Sequence, residues 1–209
     1  KSPSCGQYNV KTVSEDDSGP VLRNQGLFAS HLEKCFPDGP FIDSGKLKNF
    51  ILREQFIKNV FAHHRLLNIE RKISELQKFH LQYKYIIMEH SHENVSALGQ
   101  LAANSHKEGF EKIFMTYKSL FLKTLSIMPT VQTRTNVFLH LMGYLKKQLS
   151  SDEKNEILNL FDDYKHGFHS IAVPINLLKI YMKTYNIEYL LDQYYFDPYP
   201  KEIKLLKDL

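Results

Sequence analysis

Cys5 is the residue near the start of this sequence whose type and setting could do chemistry. It follows Ser2-Pro3-Ser4 and precedes Gly6, and a proline-containing turn can expose a thiol and direct backbone N–H groups towards it, which suits the thiol to a metal. An iron–sulfur cluster is normally held by several cysteines, and the second cysteine, Cys35, stands in a predicted helix with no evident ligand geometry. By spacing alone, Cys5 is more typical of a turn cysteine than of a metal ligand.

The ten histidines do not form an organised metal-binding set. The sequence lacks the His-Glu-x-x-His motif that places two histidines on one face of a helix. His63 and His64 are adjacent and therefore point to different helix faces, while His90 and His92 flank a predicted helix end. These patterns favour core, cap and surface positions. Walker loops, dinucleotide-binding glycine motifs and nucleophile elbows are also missing, so no self-sufficient catalytic constellation is predicted.

Three polar helical faces are candidates for contacts with a nucleic acid. They comprise Gln77, His80 and Lys84 at i, i+3 and i+7; Asn136, His140 and Lys147 at i, i+4 and i+11, beside Gly143; and Arg53, His64 and Arg65 on the first helix. Arginine and lysine neutralise phosphates, whereas histidine, asparagine and tyrosine bond to sugars or base edges. Two interpretations stay open: three solvated faces, or one composite basic groove.

Composition is compatible with a globular domain that has a phosphate-bearing partner. Of 209 residues, 43% are hydrophobic and the net charge is +4. Residues 1–45 hold 4 basic and 6 acidic side chains, and residues 46–209 hold 23 and 17, so the longer part is mildly basic. This charge suits a phosphate-bearing partner, and solubility alone is the alternative explanation. Two cysteines indicate a reducing compartment, and we expect a cytoplasmic protein without a signal peptide or a membrane span. The start at Lys1 is expected of a sequence cut from a larger protein.

The elements that must position these residues are predicted to be mainly helical. Residues 1–45 are rich in Gly, Pro, Ser and Asp, and they indicate the closing part of an α/β domain, with a short strand at 10–13 and a helix at 25–36. Residues 46–209 indicate about seven helices in a multi-helix bundle, by ordinary helix and loop lengths. The segment 193–200 is aromatic and Pro-rich, and it is predicted to lie extended over the bundle.

Apolar stripes and capping signals define these helices. The stripes are Leu52, Phe56, Val60 and His63; Leu76, Phe79, Tyr83, Ile86 and His90; and Phe110, Ile113, Phe114, Tyr117 and Phe121. Most of their aromatic rings are expected in the core. Capping boxes are predicted at Ser105 with Glu108 and at Ser150 with Glu153. Pro129 and Pro174 mark helix boundaries.

Residues 46–209 resemble the YbgA-like domain, a domain of unknown function. The resemblance is carried by Leu52-Arg53-Glu54-Gln55-Phe56, Val60-Phe61-Ala62-His63-His64-Arg65, Lys78-Phe79-His80, Tyr83-Lys84-Tyr85, Met88-Glu89-His90, Leu98-Gly99, Arg134-Thr135-Asn136-Val137, His140-Leu141-Met142-Gly143-Tyr144, Val173-Pro174-Ile175, Leu177-Leu178, Tyr189-Leu190, Gln193, Tyr195 and Pro198-Tyr199-Pro200. It implies an all-helical domain over nearly the whole of this part.

Residues 1–45 resemble the end of a TudS-like thiouracil desulfidase domain. Lys1-Ser2-Pro3-Ser4-Cys5-Gly6 is similar to its last cysteine motif, and Gly26-Leu27-Phe28-Ala29 to the start of its final helix. In that family three cysteines hold a [4Fe–4S] cluster, whose open iron takes sulfur from a thiolated uracil. The resemblance makes Cys5 a cluster ligand and metal site, with Ser2 or Ser4 as catalytic residues lining it. The other two cysteines of that set are absent from this sequence, so we expect no desulfidation from these residues alone.

The two resemblances together correspond to RudS-type fusions, which remove sulfur from 4-thiouridine in tRNA. They imply that this chain is the C-terminal part of such a desulfidase and that its helical domain binds tRNA. The expected RNA contacts are Arg53, His64, Arg65, Lys78, His80, Lys84, Arg134, Asn136, His140, Tyr144 and Lys146. A protein-interaction scaffold without catalytic activity is the alternative, and an enzyme that uses buried His and Tyr side chains is a third.

Overall fold

The computed structural model describes residues 45–103 and 109–204, together with residues 31, 34, 35 and 39–42. The chain divides into two units, Lys1–Pro37 and Asp38–Leu209. The expected strand at 10–13 lies outside the described residues. Of the helix predicted at 25–36, residues 31, 34 and 35 are described and are helical.

The described part of the second unit is helical and contains no strand, which confirms the mainly α prediction. After a short 3₁₀ turn at Lys46–Lys48 come α1 (Phe50–Leu67), α2 (Ile73–His90), α3 (His92–Ala103), α4 (Phe110–Leu125), α5 (Val131–Leu145), α6 (Ser151–Lys165), α7 (Ala172–Thr184), α8 (Glu188–Leu191) and α9 (Lys201–Lys204). None of the described helices is both long enough and apolar enough to cross a membrane.

Local signals at the helix ends explain several of these boundaries. Ser150 and Glu153 form the predicted capping box at the start of α6, in which each side chain satisfies the other residue's backbone N–H. Thr130 and Thr133 form a second box at the start of α5, directly after Pro129. Helix α4 begins after Gly109, which provides no side-chain cap; the box predicted at residues 105 and 108 lies outside the described residues.

Helix α2 is the centre of the bundle. It contacts α3, α4 and α5, and α5 in turn contacts α6 and α7. Its predicted stripe is buried, and residues 85–90 are buried around the whole circumference of the helix. The Phe79 ring stacks on Tyr83 at 4.4 Å and meets Phe121 of α4 edge-on at 5.2 Å. Such pairs add specific ring geometry to the burial of apolar area.

The segment 193–200 does not lie extended over the surface as predicted. It turns at residues 194–196 and buries the rings of Tyr195, Phe196 and Tyr199. The Tyr194 N–H donates to the Gln82 carbonyl, and the Gln193 amide donates to the Leu81 carbonyl at 2.9 Å. Large aromatic rings stabilise the fold more when they are buried than when they lie exposed on its surface. The two hydrogen bonds to α2 hold the segment in its turned conformation.

Candidate nucleic-acid interface

Two tyrosines from different helices form an exposed pair, which we call the tyrosine platform. Tyr144 lies in the last turn of α5 and Tyr189 in α8. Their ring centroids are 6.1 Å apart with an interplanar angle of 34°, and they are 44% and 41% exposed. Paired rings that remain open to solvent offer faces on which planar groups such as nucleobases can stack.

Tyr85 of α2 supports the platform from the interior. Its side chain is 1% exposed. Burial, together with a hydrogen bond to Tyr144 and the nearness of Tyr189, raises the pKa of Tyr85. The Tyr85 hydroxyl therefore stays protonated at ordinary pH and orients the Tyr144 side chain. The Lys84 ammonium lies 5.7 Å from the centroid of the Tyr85 ring, which brings a positive charge to this region.

Two exposed histidines extend this surface along α5. His140 lies one turn before Tyr144, and its ring centroid is 5.8 Å from that of His92, the first residue of α3. Imidazole nitrogens can donate to or accept from sugar hydroxyls and base edges. Asn136, one further turn back on the same face, adds an amide with both capacities. The face thus combines stacking rings with hydrogen-bonding groups.

The structure brings together four of the predicted RNA-binding residues. Asn136, His140 and Tyr144 share a face of α5, and Lys84 lies beside Tyr85. Lys146, which caps α5, lines a groove on another side of that helix. His92, Tyr85 and Tyr189 were not predicted as site residues. The signals available for them were weak, because each is a single polar or aromatic residue whose neighbours in the fold are distant in sequence.

Arg65 and Arg134 were also predicted to contact RNA, and the structure gives both internal partners. Arg65 donates to the Tyr83 hydroxyl at 3.0 Å and to the Pro198 carbonyl at 2.6 Å. Arg134 donates to Glu89 at 2.9 Å, and that carboxylate is 4% exposed. Each guanidinium therefore joins distant parts of the bundle, and an RNA contact from either residue stays a prediction.

His80 lies in the interior rather than on an open face. Its Nδ1 is 3.1 Å from the Tyr117 hydroxyl, and it is 8% exposed. Burial, with a smaller effect of the Lys84 charge, lowers the pKa of His80 to about 4. Gln77, one turn earlier, donates to the Ala102 carbonyl at 3.1 Å. This predicted polar face is thus used largely to join α2 to α3 and α4.

The three other predicted contacts lie on α1 and α2. The Arg53 guanidinium lies over the Phe50 ring at 5.8 Å, and His64 and Lys78 are exposed. The structure shows no contact between these side chains and the tyrosine platform within the described residues. The described contacts therefore do not unite all the predicted residues in one composite groove. They bring together a smaller group on and beside α5.

The residues predicted to serve the cluster, Ser2, Ser4 and Cys5, lie outside the described residues. Among those that are described, no group of three or more His, Cys, Asp or Glu side chains is arranged to hold a metal. The whole chain has two cysteines, fewer than the three thiolates that the desulfidase resemblance requires. These residues alone do not fit a [4Fe–4S] cluster.

The described helices and this surface define a mainly helical protein with a face that carries aromatic, polar and basic side chains. Residues 84–200, more than half of the chain, match the family described as "Protein of unknown function (DUF1722)", and the chain belongs to that family. It is similar to the "Uncharacterized protein YbgA" of Escherichia coli (strain K12), with 28% identity over 166 residues, 79% of this chain and 94% of that protein. No solved structure matches the chain.

Proposed function

We propose that the helical unit binds tRNA and that the chain is the C-terminal part of a tRNA 4-thiouridine desulfidase. The observation that carries the binding proposal is the tyrosine platform, two half-exposed rings 6.1 Å apart. Aromatic side chains stack on unpaired bases, which is how proteins commonly engage single-stranded regions of RNA. The desulfidase part of the proposal is supported by the resemblance of residues 1–45.

The surroundings of the platform suit RNA better than a small apolar ligand. His92, His140 and Asn136 supply donors and acceptors along the same face. Lys147 is exposed and lies one turn beyond Tyr144 and two turns beyond His140, where it supplies positive charge for phosphates. The net charge of residues 46–209, with 23 basic and 17 acidic side chains, favours approach of a polyanion.

Binding of fluorescein-labelled tRNA, followed by anisotropy over a salt series, tests this proposal. We expect affinity to fall steeply with salt, because each neutralised phosphate releases condensed counterions. Tyr144→Ala and Tyr189→Ala should each weaken binding by about 1–3 kcal/mol, the range for losing one base–aromatic stack. Tyr→Phe at either position should restore most of the affinity, since the ring is retained.

Phe168→Ala is the matched control, because this ring is 73% exposed and lies in the loop after α6. It should leave tRNA affinity unchanged. Absent binding, or binding that neither salt nor the platform variants alter, would refute the proposal. Comparing tRNA that contains 4-thiouridine with an unmodified transcript then tests the desulfidase assignment separately, because a preference for the thiolated tRNA is expected only of that assignment.

A further inference from the structure

A groove runs between α5 and α6, on a different side of α5 from the tyrosine platform. It has a volume of about 490 Å³. Its lining is Leu139, Met142, Gly143, Lys146, Ser151, Lys154, Asn155 and Leu158. Gly143 and Tyr144 are consecutive helical residues, so their Cα–Cβ directions differ by roughly 100° around α5. The groove and the platform are therefore separate surfaces.

Gly143 has no role in the fold that would require glycine. It lies inside α5, where glycine is less favourable than any residue except proline. Its φ is not positive, unlike those of Gly109 and Gly167. A Cβ at Gly143 would meet nothing within 4 Å, whereas one at Gly99 would lie 3.2 Å from His80 Nε2. Neither backbone conformation nor internal packing requires glycine at position 143, and the missing side chain leaves room for an external group to approach the helix backbone.

The walls of the groove are aliphatic and open to solvent. Leu139 is 46% exposed and Leu158 is 41% exposed, and Met142 of the same lining is half-buried. Methionine adapts its shape to different apolar partners. Two exposed leucines that flank a glycine floor form an apolar seat of the kind that receives side chains of a partner helix.

Charge sets the kind of partner. The lining contains two lysines, Lys146 from the end of α5 and Lys154 from the first turns of α6, and no acidic residue. Ser151 and Asn155 add hydrogen-bonding groups to the groove lining. Positive charge beside an apolar seat is complementary to a helix that has an apolar stripe flanked by Asp or Glu.

We propose that this groove binds an amphipathic helix of a protein partner, with leucine-like anchors over Gly143 and acidic residues facing Lys146 and Lys154. RNA is the less suitable occupant, because no aromatic ring lines the groove and unpaired bases are held mainly by stacking. The proposal does not depend on tRNA binding. It places a protein-interaction surface next to, and separate from, the tyrosine platform.

The test uses the full chain and a fluorescein-labelled 18-residue peptide, with Leu at helical i, i+3, i+4 and i+7 spacing and Glu on the flanks. A second peptide has Lys in place of every Glu. Anisotropy should show saturable binding of the acidic peptide and roughly tenfold or more weaker binding of the basic one, a difference of the size that electrostatic complementarity produces. Absent binding of the acidic peptide, or equal binding of both, overturns the proposal.

Variants locate the binding. Gly143→Met fills the groove and should weaken peptide binding by roughly tenfold, without lowering the unfolding midpoint, because methionine is a better helix former than glycine. Leu158→Ala should also weaken it, whereas Leu81→Ala, at a leucine 49% exposed outside the groove, should not. Tyr144→Ala should leave it unchanged. The proposal is contradicted if Gly143→Met binds the peptide with full affinity. It is also contradicted if a short RNA displaces the peptide from the wild-type protein and Gly143→Met no longer binds that RNA.

Discussion

The guanidinium of Arg65 lies 3.9 Å from the centroid of the Tyr194 ring, so a side chain of α1 stacks directly on the segment 193–200. The same group donates to the Tyr83 hydroxyl and to the Pro198 carbonyl. One side chain thus joins α1, α2 and the turned segment 193–200. Arginine suits this position because its planar fork can stack and donate in two directions at once.

Arg65→Ala should lower the free energy of unfolding by about 2–3 kcal/mol, since it removes a partly buried cation–π contact and two hydrogen bonds that the charged guanidinium donates. Arg65→Lys should recover little of this loss, because an ammonium cannot both stack on Tyr194 and reach the two acceptors. Urea unfolding followed by circular dichroism measures both variants.

Arg53→Ala is the control for Arg65. Its guanidinium lies over the Phe50 ring near the start of α1, and surface changes of this kind alter stability by about 0.5 kcal/mol or less. If Arg65→Lys were as stable as the wild type, the stacked geometry would have no energetic importance.

Glu89 and Arg134 form an ion pair that is mostly withdrawn from water, with side chains 4% and 18% exposed. Arg134→Leu should destabilise the fold by about 3–5 kcal/mol, because it leaves the Glu89 carboxylate buried without its partner. The double variant Glu89→Leu/Arg134→Leu should be more stable than Arg134→Leu alone, since no buried charge then remains. A double-mutant cycle by chemical unfolding measures the coupling.

The Arg134 variant also separates stability from RNA binding. Arg134 was predicted from sequence to contact a phosphate, but its geometry indicates a structural role. At a temperature where Arg134→Leu remains folded, we expect its tRNA affinity to stay close to that of the wild type, whereas Lys147→Glu weakens binding. A large loss of affinity in folded Arg134→Leu would instead support the phosphate contact.

The sequence predicted the helical class and the buried stripe of α2 because periodicity is a local property. The stripe predicted on α1 is only half-buried, and Gln55, Ala62 and Leu66 are the buried residues of that helix. Phe79, Tyr83, Tyr117 and Phe121 recur at helical spacing, and all four are buried. Side-chain partners are another matter. Arg65 reaches Pro198, 133 positions away, and nothing in the spacing of a helix shows which distant carbonyl will be adjacent.

The candidate interface was predictable in part for the same reason. Asn136, His140 and Tyr144 share a helical face and were found together from spacing alone. Tyr189 joins Tyr144 through the packing of α8 on α7 and the rest of the bundle, a relationship that only the fold reveals. Helical spacing alone predicts His80 on a polar face with Gln77 and Lys84. Its buried bond to Tyr117 depends on how α4 packs against α2, which spacing does not show.

Gly99 and Gly143 give a paired prediction about helix propensity and packing. Both are helical, but an added Cβ at Gly99 would lie 3.2 Å from His80 Nε2 while one at Gly143 meets nothing. Gly143→Ala should raise the free energy of unfolding by about 0.5–1 kcal/mol through propensity. The change in the free energy of unfolding for Gly99→Ala should be about 1–3 kcal/mol less favourable than that for Gly143→Ala, which is the usual cost of overpacking.

The reason lies in His80, whose ring is fixed by its bond to Tyr117 and has little room to shift. In a His80→Ala background the added methyl at Gly99 has space, and Gly99→Ala should become as favourable as Gly143→Ala. Equal effects of the two alanine substitutions in the wild-type background, measured by urea unfolding, would show that the His80 ring moves freely.

His80 should make the stability of the fold depend on pH. Its pKa is lowered to about 4 by burial, against an unfolded value of about 6.5. Between these values the unfolded chain binds a proton that the folded chain does not, so stability is complete above about pH 6.5 and falls as the pH drops towards 4. The whole effect is on the order of 3 kcal/mol, from the size of the shift.

Urea unfolding at pH 7.5, 6, 5 and 4.5 measures this dependence, and His80→Gln provides the comparison because its amide can still bond to the Tyr117 hydroxyl without titrating in this range. His80→Gln should flatten part of the profile. The remainder should come from His90, whose pKa burial also lowers, and which accepts from Gln55 and donates to the Ile127 carbonyl. A profile of the same steepness in His80→Gln and the wild type would show that the His80 imidazole takes up its proton without opening the α2–α4 contact.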